Sequence, residues 1–552
     1  MSEQVIWTYE NCLLASPYWV TLLVAVAMVA IIIVKPFLEL RKPFDNLPMA
    51  PHCHWFYGHV AWVFGRETFP DAYVDAVRDH ADAHGRTGLW LLYRRCISIV
   101  HVEDARTILK SEHHRIPVPI VSHYVRKVIG KQNLLFLNHR EWKQNRDAVT
   151  RTFVHSFLVQ SQTDVWQVAQ DLIATLSNKL EQNSAAAYYE LDVHPVMKML
   201  TSDVFGKAAF STDFECCKTL QFSSVVGAFE YIMKDMGKRG QNPLSPWNYF
   251  FSLPLEKNRK LQEQLNVLRG FIQNLLQESR IKMKQLDNNL SPKNNSDKDV
   301  KISLVDRLVV AHDSNNSNNN NATDDEILID VISTLLIASY DTTSTTLAFV
   351  LYLLAANPGV QEACFAEVQS IEGDLTDPDV LVYCTAVIQE CLRLYPPAAI
   401  SARDLTKPIT LSDGFVVPPN VKCLVPIFAI HRSEQYFPRP LECIPERWCQ
   451  RTSSSNDNNA WMERTPDNDI TADTTIAIGN AHALIPFSVG SRNCPGNRFA
   501  LQEAVIVLAN LVREFQFKPV PGYQLKLDLH GPLPQPRHGM PLRIEKRQTV
   551  VK

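Results

Sequence analysis

The chain has 552 residues, 46% of them hydrophobic, so it is long and apolar enough to bury a large core. Its 55 basic residues nearly balance its 58 acidic ones, which gives no reason to expect nucleic acid or another strongly charged partner. The 12 cysteines are scattered, and no pair has C-x-x-C spacing. This pattern excludes a zinc ribbon and favours a reducing compartment over a disulfide framework.

The N-terminus is strongly apolar from about residue 13 to 34. About 20 such residues span a hydrocarbon core. Acidic residues precede this stretch and basic residues follow it, so the positive-inside rule places the rest of the chain on the cytosolic side. A cleaved signal peptide is the alternative, but it has a basic start and a shorter apolar segment. We therefore predict one uncleaved transmembrane helix, with residues 1–44 as membrane anchor and hinge, in the endoplasmic reticulum membrane.

The rest of the chain has mainly helical periodicity. Apolar residues recur every three or four positions through 160–182, 257–286 and 358–370, which predicts helices. Short β-like stretches occur at 96–102 and 421–427. The sequence thus predicts a mainly α fold with small β-sheets.

Two polar tracts rich in Asn and Ser interrupt the chain near 288–322 and 450–475. Such tracts bury too little apolar surface to order themselves. They are either linkers between domains or insertions in surface loops. We favour insertions, which leaves residues 45–552 as a single domain.

A long apolar run begins at a capping box, Thr323-Asp-Asp-Glu326, and continues to about Ala356. Because it is apolar nearly all round, it predicts a buried helix. A second membrane span is the alternative. The polar residues 341–346 at its centre argue against one, since each is costly to expose to lipid.

Two short spacings place hydrogen-bonding side chains on one helix face. Trp142 and Arg146 are four positions apart, an arrangement in which a ring nitrogen and a guanidinium can bind a carboxylate. Glu390 and Arg393 are three positions apart and can pair with each other. Alone, each spacing is more often a solvated surface feature.

The most specific pattern is a loop near the C-terminus. It contains Phe487, Gly490, Arg492, Cys494 and Gly496, and a helix-like run follows it at once. The glycines allow the backbone to fold tightly around the sulfur. The arginine and the positive end of the helix favour the thiolate, which is the form that binds metal. A buried structural cysteine is the alternative.

The order Phe-x-x-Gly-x-Arg-x-Cys-x-Gly resembles the haem-binding loop of the cytochrome P-450 superfamily, with every fixed position present. Four further motifs follow the family order, so the resemblance extends from about residue 45 to near the end. It implies the cytochrome P-450 fold, preceded by one N-terminal transmembrane helix. It also implies haem b, whose iron takes Cys494 as axial thiolate ligand.

The segment Ala338-Ser-Tyr-Asp341-Thr342-Thr343 resembles the family's oxygen-activation motif. The resemblance implies that Asp341 and Thr342 are catalytic and relay protons during oxygen activation. Ser339 stands where glycine is usual. Ala338 stands where an ω-hydroxylase subgroup carries a glutamate that bonds to haem, so covalent attachment by that route is excluded.

The remaining motifs have structural or haem-binding roles in the family. Pro445-Glu-Arg447-Trp resembles the element whose arginine joins a Glu-x-x-Arg pair, which implies a buried network of Glu390, Arg393 and Arg447. The resemblance also assigns cofactor contacts, with His431 as an additional group near the haem propionates. The implied cofactor-binding residues are Trp142, Arg146, Arg403, Phe487, Gly490, Arg492 and Gly496.

The function implied is a membrane-bound monooxygenase that inserts one oxygen atom of O2 into a lipophilic substrate. The chain has no G-x-G-x-x-G fingerprint after a strand, so electrons come from a partner, expected to be an NADPH-dependent flavoprotein reductase, with cytochrome b5 as a further candidate. One alternative is a haem-thiolate isomerase or dehydratase acting on peroxides. Another is a non-catalytic haem-thiolate sensor.

Overall fold

The computed structural model describes most of the chain after residue 46. The described residues are 28, 47–51, 59, 71–91, 94–111, 114–115, 126–183, 188–240, 253, 255–289, 301–313, 322–451, 461–463, 480–530 and 533–547. Apart from residue 28, the predicted membrane span lies outside these residues, as do residues 290–300 and 314–321 of the first polar tract and 452–460 and 464–475 of the second.

Helices make up most of the described chain, which confirms the predicted mainly α character. In chain order they are α1 (Asp71–Asp79), α2 (Val102–Ser111), α3 (His139–Thr150), α4 (His155–Gln182), α5 (Val193–Phe210), α6 (Cys216–Thr219), α7 (Ser224–Gly240), α8 (Glu256–Asn289), α9 (Leu304–Asp313), α10 (Ala322–Ala356), α11 (Pro358–Ser370), α12 (Val382–Leu394), α13 (Ile427–His431) and α14 (Asn497–Glu514). The three helices predicted from periodicity correspond to α4, α8 and α11.

The strands are short and form small sheets. They are β1 (Arg86–Leu91), β2 (Arg94–Ile99), β3 (Tyr189–Asp192), β4 (Ser401–Asp404), β5 (Ile409–Thr410), β6 (Val416–Val417), β7 (Lys422–Val425), β8 (Cys449–Arg451), β9 (Trp461–Glu463), β10 (Phe515–Pro519), β11 (Leu527–His530), β12 (Leu533–Pro536) and β13 (Pro541–Lys546). The largest described sheet has the order β1-β2-β7-β4, with β2 and β7 parallel. These two strands are the ones predicted from sequence. A hairpin pairs β11 with β12.

The core is built around α10. Buried residues line most of its length, and it packs against α5, α12 and α14. Its polar centre is tolerated because hydroxyls bond back to carbonyls one turn earlier: Ser344 Oγ donates to Tyr340 O (2.6 Å), and Thr346 Oγ1 donates to Thr342 O (3.0 Å).

This helix is also the one described segment that is long and apolar enough to cross a membrane, from Asp325 to Ala356. The fold buries 72% of its apolar window. The helix is therefore part of the domain core, as its polar centre predicted.

Candidate active site

The cysteine loop is closed by its own backbone. The N–H of Cys494 donates to the carbonyl of Phe487 (2.9 Å), so the chain turns back on itself around the sulfur. The N–H of Ala500 donates to Gly496 O (2.9 Å), which starts α14 immediately after the loop. The loop thus presents the thiol at the positive end of a helix, as predicted.

Gly490 is required by the loop geometry. Its φ is +80°, and a β-carbon there would lie 2.7 Å from the carbonyl oxygen of Leu109 at the end of α2. Both features exclude a side chain. The loop is therefore seated directly against the backbone of α2.

Burial raises the pKa of the Cys494 thiol, while the N–H of Gly496 and the guanidinium groups of Arg146 and Arg115 act in the opposite direction. The protein alone thus leaves the sulfur protonated, and a bound metal cation would displace the proton. Of these two arginines, Arg146 belongs to a predicted motif, whereas Arg115 stands in none. A direct effect of Arg492 on the thiolate stays a prediction.

Arg492 holds the chain that precedes α3. Its Nη2 donates to Leu137 O (2.5 Å) and to Asn138 Oδ1 (3.0 Å), and its Nη1 donates to Leu134 O (3.2 Å). The guanidinium carbon lies 3.7 Å from the centroid of the Trp142 ring. Arg492 and Trp142 are therefore brought together by stacking.

Arg146 binds the cysteine loop itself. Its two terminal nitrogens donate to Asn493 O (2.7 Å) and Asn493 Oδ1 (2.8 Å). Because Asn493 directly precedes Cys494, this contact fixes the thiol relative to α3.

Four arginines converge near the loop. Burial, together with the charges of Arg115, Arg403 and Arg146, lowers the pKa of Arg492 to about 8. Burial and the charge of Arg146 also lower the pKa of Arg115. Such a concentration of buried positive charge is stabilised by an anion.

The predicted Glu-Arg-Arg group is assembled as one buried network. Arg393 pairs with Glu390 through two bonds of 2.8 and 2.9 Å, and Arg447 Nε donates to Glu390 Oε1 (3.2 Å). The indole N–H of Trp448 donates to the other carboxylate oxygen (3.0 Å). The three charged side chains are fully buried. Each charge is paired, as burial demands.

His431 lies on the Glu-Arg-Arg side rather than among the four arginines at the loop. Its Nε2 accepts a hydrogen bond from the N–H of Ile485 (2.9 Å). Burial and the neighbouring charge of Arg393 lower its pKa to about 3. The ring is neutral and supplies no positive charge for a carboxylate.

On α10, Thr342 lies one turn after Ala338, and the side chain of the adjacent Asp341 points away from that of Thr342. Ala338 is exposed and Thr342 half-exposed, although the helix around them is buried, so an open space faces them. Thr342 Oγ1 donates to Ala338 O (2.7 Å). The Asp341 carboxylate is buried instead against Gln535, whose Nε2 donates to both carboxylate oxygens (2.8 and 2.7 Å).

Ser339 fits into this helix without disturbing it. Its hydroxyl donates to Leu336 O (3.1 Å). The helix therefore accommodates serine at the position where the family usually has glycine.

These features fit a haem. The arginines match its two carboxylates, Cys494 is the softest ligand in the loop, and the open face at Ala338 leaves room beside α10.

Comparison with known proteins agrees with this site. A sequence model of the family described as Cytochrome P450 matches residues 48–542. The protein named Probable cytochrome P450 4ac3, from Drosophila melanogaster, is 26% identical over 80% of this chain and 79% of its own length. Cytochrome P450 4X1 from Homo sapiens is 25% identical, covering 96% of this chain and 97% of the relative. Leukotriene-B4 omega-hydroxylase 3 from Mus musculus is 25% identical, covering 94% and 92%.

The match spans most of the chain and includes every motif described above. The chain therefore belongs to the cytochrome P450 family: it is a haem-dependent monooxygenase that binds haem b through a cysteine thiolate and uses O2, electrons from a redox partner and a lipophilic substrate.

Proposed function

We propose that Cys494 is the axial ligand and that its loop is the proximal wall of the haem site. When bound, the haem supplies the oxygen-activating and electron-accepting chemistry that amino-acid side chains lack. The observation that carries the proposal is the closure of the loop around this sulfur, where the N–H of Cys494 donates to Phe487 O (2.9 Å) directly before α14 begins. Arg146 holds the loop through Asn493, so the sulfur is positioned before the cofactor binds.

The haem propionates would be held by the arginines around the loop. Arg115, Arg403 and Arg492 bring three positive charges together, and their mutual repulsion is relieved by two carboxylates. Trp142 supports Arg492 by stacking on its guanidinium. Gly490 and Gly496 keep side chains out of the loop, and Phe487 closes it.

On the other side of the site, Thr342 faces the open space, so its hydroxyl is placed to hold or pass a proton there. Asp341 supplies protons to this region from behind the helix. Glu390, Arg393 and Arg447 take no part in the chemistry. They hold α12 against the segment that leads to the cysteine loop.

The electron donor is proposed to be an NADPH-dependent flavoprotein reductase, with cytochrome b5 as a second donor. Lys143 and Arg151, on or next to α3, and Arg498, on α14, are exposed, and α3 contacts the cysteine loop through Arg146. Exposed basic side chains attract an acidic partner surface. Electron transfer should therefore slow as ionic strength rises.

The membrane part of the proposal rests on the sequence. Residues 1–44 would form the anchor and hinge, with the span at about 13–34, and residues 45–552 the catalytic domain with its two loop insertions. The domain would lie on the cytosolic side of the endoplasmic reticulum membrane. This placement agrees with a reductase-dependent reaction on lipophilic molecules.

For the substrate, we propose a long-chain fatty acid or a related eicosanoid. The support is similarity to a protein named a leukotriene-B4 omega-hydroxylase, at 25% identity. Purified full-length protein, mixed with a microsomal NADPH-dependent reductase, should consume O2 and hydroxylate leukotriene B4 or arachidonate only when NADPH is present. Conversion of a lipid hydroperoxide without reductase or O2 would contradict the proposal and favour the isomerase alternative.

A further inference from the structure

A backbone turn that precedes α3 is folded around a carboxylate of α10. The N–H of Gln132 donates to Asp330 Oδ2 (2.9 Å), and the N–H of Lys131 also bonds to this carboxylate. Gly130 has a φ of +84°, and a β-carbon there would overlap the Asp330 carboxylate. Successive N–H groups beside a left-handed residue form a concave site for an anion. Here the chain itself supplies the anionic group, and Asp330 is buried in the turn.

The turn begins a connecting segment, residues 130–138, that leads into α3. The segment is held together by Asn133, which is fully buried. Its Nδ2 donates to Gly130 O (2.6 Å), and its Oδ1 accepts the N–H of Phe136 (2.9 Å). Asn145 Nδ2, on α3, donates to Gln132 O (3.3 Å). The segment is therefore fixed to α10 at its start and stiffened by these bonds along its length.

The far end of the connecting segment is bound by two of the arginines at the cysteine loop. Arg492 donates to three oxygen atoms of residues 134–138. Arg115 Nη1 donates to Leu135 O (3.4 Å), and the backbone N–H of Arg115 donates to Asn138 Oδ1 (3.1 Å). Because these oxygen atoms orient the two guanidinium groups, a displacement of the segment would displace both arginines.

Asp330 lies well away from the reacting groups, eight positions before Ala338 on α10, or about 12 Å along the helix axis. A similar carboxylate occurs elsewhere in the fold. Asp203, on α5, is also buried and accepts two successive N–H groups, those of Cys216 (3.1 Å) and Cys217 (2.7 Å). Asp203 thus makes the same kind of contact with α6 that Asp330 makes with the connecting segment.

We propose that Asp330 is a positioning residue for the cofactor. It fixes the connecting segment to α10, and the segment in turn orients Arg115 and Arg492 toward the haem propionates. The inference rests on the proposed function, which assigns these arginines to the propionates. Without the Asp330 carboxylate, the turn loses its acceptors and the segment gains freedom, so the arginines no longer hold the geometry that charged hydrogen bonds require.

The first test measures backbone hydrogen exchange of residues 131–137 by mass spectrometry on the full-length ferric holoenzyme. Asp330→Asn keeps the size of the side chain but replaces one acceptor oxygen with an amide group, which cannot accept an N–H. Exchange in the connecting segment should become about 10- to 100-fold faster, because a hydrogen bond to a charged group is lost. Asp203→Asn is the matched control, and it should speed exchange at residues 216–217 while leaving the segment unchanged.

The second test measures how the haem is held. Asp330→Asn should speed haem transfer to apomyoglobin about 2- to 30-fold, the range expected when a network of contacts links two places in a fold. It should also shift the propionate bending bands in the resonance Raman spectrum. Asp203→Asn should change neither property, whatever stability it loses in urea unfolding. A purely structural role of Asp330 would not produce this difference.

A second variant disturbs the same contact from the other side. Gly130→Ala places a β-carbon against the Asp330 carboxylate and should reproduce the changes in exchange and haem transfer. Its control is Gly373→Ala, because Gly373 has a φ of +88° and no atom within 4 Å of the position of a β-carbon. This control carries the same backbone strain without the clash, so it should leave both properties unchanged.

The outcomes separate this inference from the proposed function. Unchanged exchange of residues 131–137 in Asp330→Asn would overturn the contact between the turn and α10. Faster exchange with wild-type haem transfer and wild-type propionate bands would overturn the positioning role, and so would an equal effect of Asp203→Asn on the haem. Absence of the carbon-monoxide spectrum of thiolate-ligated haem from the wild type would instead overturn the proposed function.

Discussion

At the scale of single residues, Gly490 illustrates how the cysteine loop depends on backbone shape. Its φ of +80° and its contact with α2 act together. Gly414 offers a comparison, because it has a φ of +87° but nothing within 4 Å of the position of a β-carbon. Comparing the same substitution at the two glycines therefore separates the cost of backbone strain from the cost of a steric clash.

We expect Gly490→Ala to destabilise the protein more than Gly414→Ala. The control carries only the strain of a left-handed residue, roughly 1–2 kcal/mol, whereas Gly490→Ala adds a clash costing about 1–3 kcal/mol. Urea unfolding gives the loss of stability of each variant, and the rate of haem loss shows whether its cysteine loop is disturbed. Equal effects of the two substitutions would mean that the loop does not rest on α2 as described.

Arg115 is the second residue of interest, because it lies beside the thiol and among the arginines of the site. Arg115→Met should speed haem transfer to apomyoglobin roughly 10- to 100-fold, since a charged hydrogen bond to a propionate contributes about 1.5–3 kcal/mol. Arg498→Met, an exposed change near the same loop, should leave the rate unchanged. Identical rates of haem transfer for both variants would mean that Arg115 does not bind the haem.

At the scale of elements, the Glu390–Arg393 pair has an exposed counterpart. Arg439 and Glu442 have the same three-residue spacing, with side chains 49% and 58% exposed. Glu390→Gln leaves two buried arginines without their shared carboxylate and should cost about 3–5 kcal/mol. Glu442→Gln should cost less than about 1 kcal/mol. Denaturant unfolding of the two variants tests this, and similar losses would contradict a structural role for the network.

Some of these elements could be predicted from sequence and others could not. The cysteine loop has a fixed residue spacing, and α10 is a continuous apolar run. Both patterns are local, so both elements could be predicted from the sequence. Arg115 stands in no motif. The contact between Asp341 and Gln535 could not be predicted either, because Gln535 is 194 positions away. It reaches the carboxylate only because the β11–β12 hairpin packs against α10. Asp341 and Thr342 are predicted to relay protons together, and because they are adjacent in a helix their side chains point to different faces.

At the scale of the whole molecule, the proposed topology puts the domain in the cytosol. The sequons at Asn289-Leu-Ser291 and Asn321-Ala-Thr323, and those at Asn294 and Asn315 between them, should then stay unglycosylated in cells, because glycosylation occurs in the lumen. A tag with a sequon placed before Met1 should be glycosylated in the same protein, as detected by an endoglycosidase mobility shift. Glycosylation of the internal sites but not of the tag would mean that the orientation is the reverse of the proposed one.

The most direct test of the account is the carbon-monoxide difference spectrum of the reduced protein, with Cys494→Ser measured beside it. A Cys449→Ser variant, which changes a buried cysteine away from the loop, serves as control. We predict a red-shifted Soret band in the wild type and in the control, and its loss in Cys494→Ser. A band that persists in Cys494→Ser, or is absent from folded, haem-loaded wild-type protein, would contradict Cys494 as the thiolate ligand.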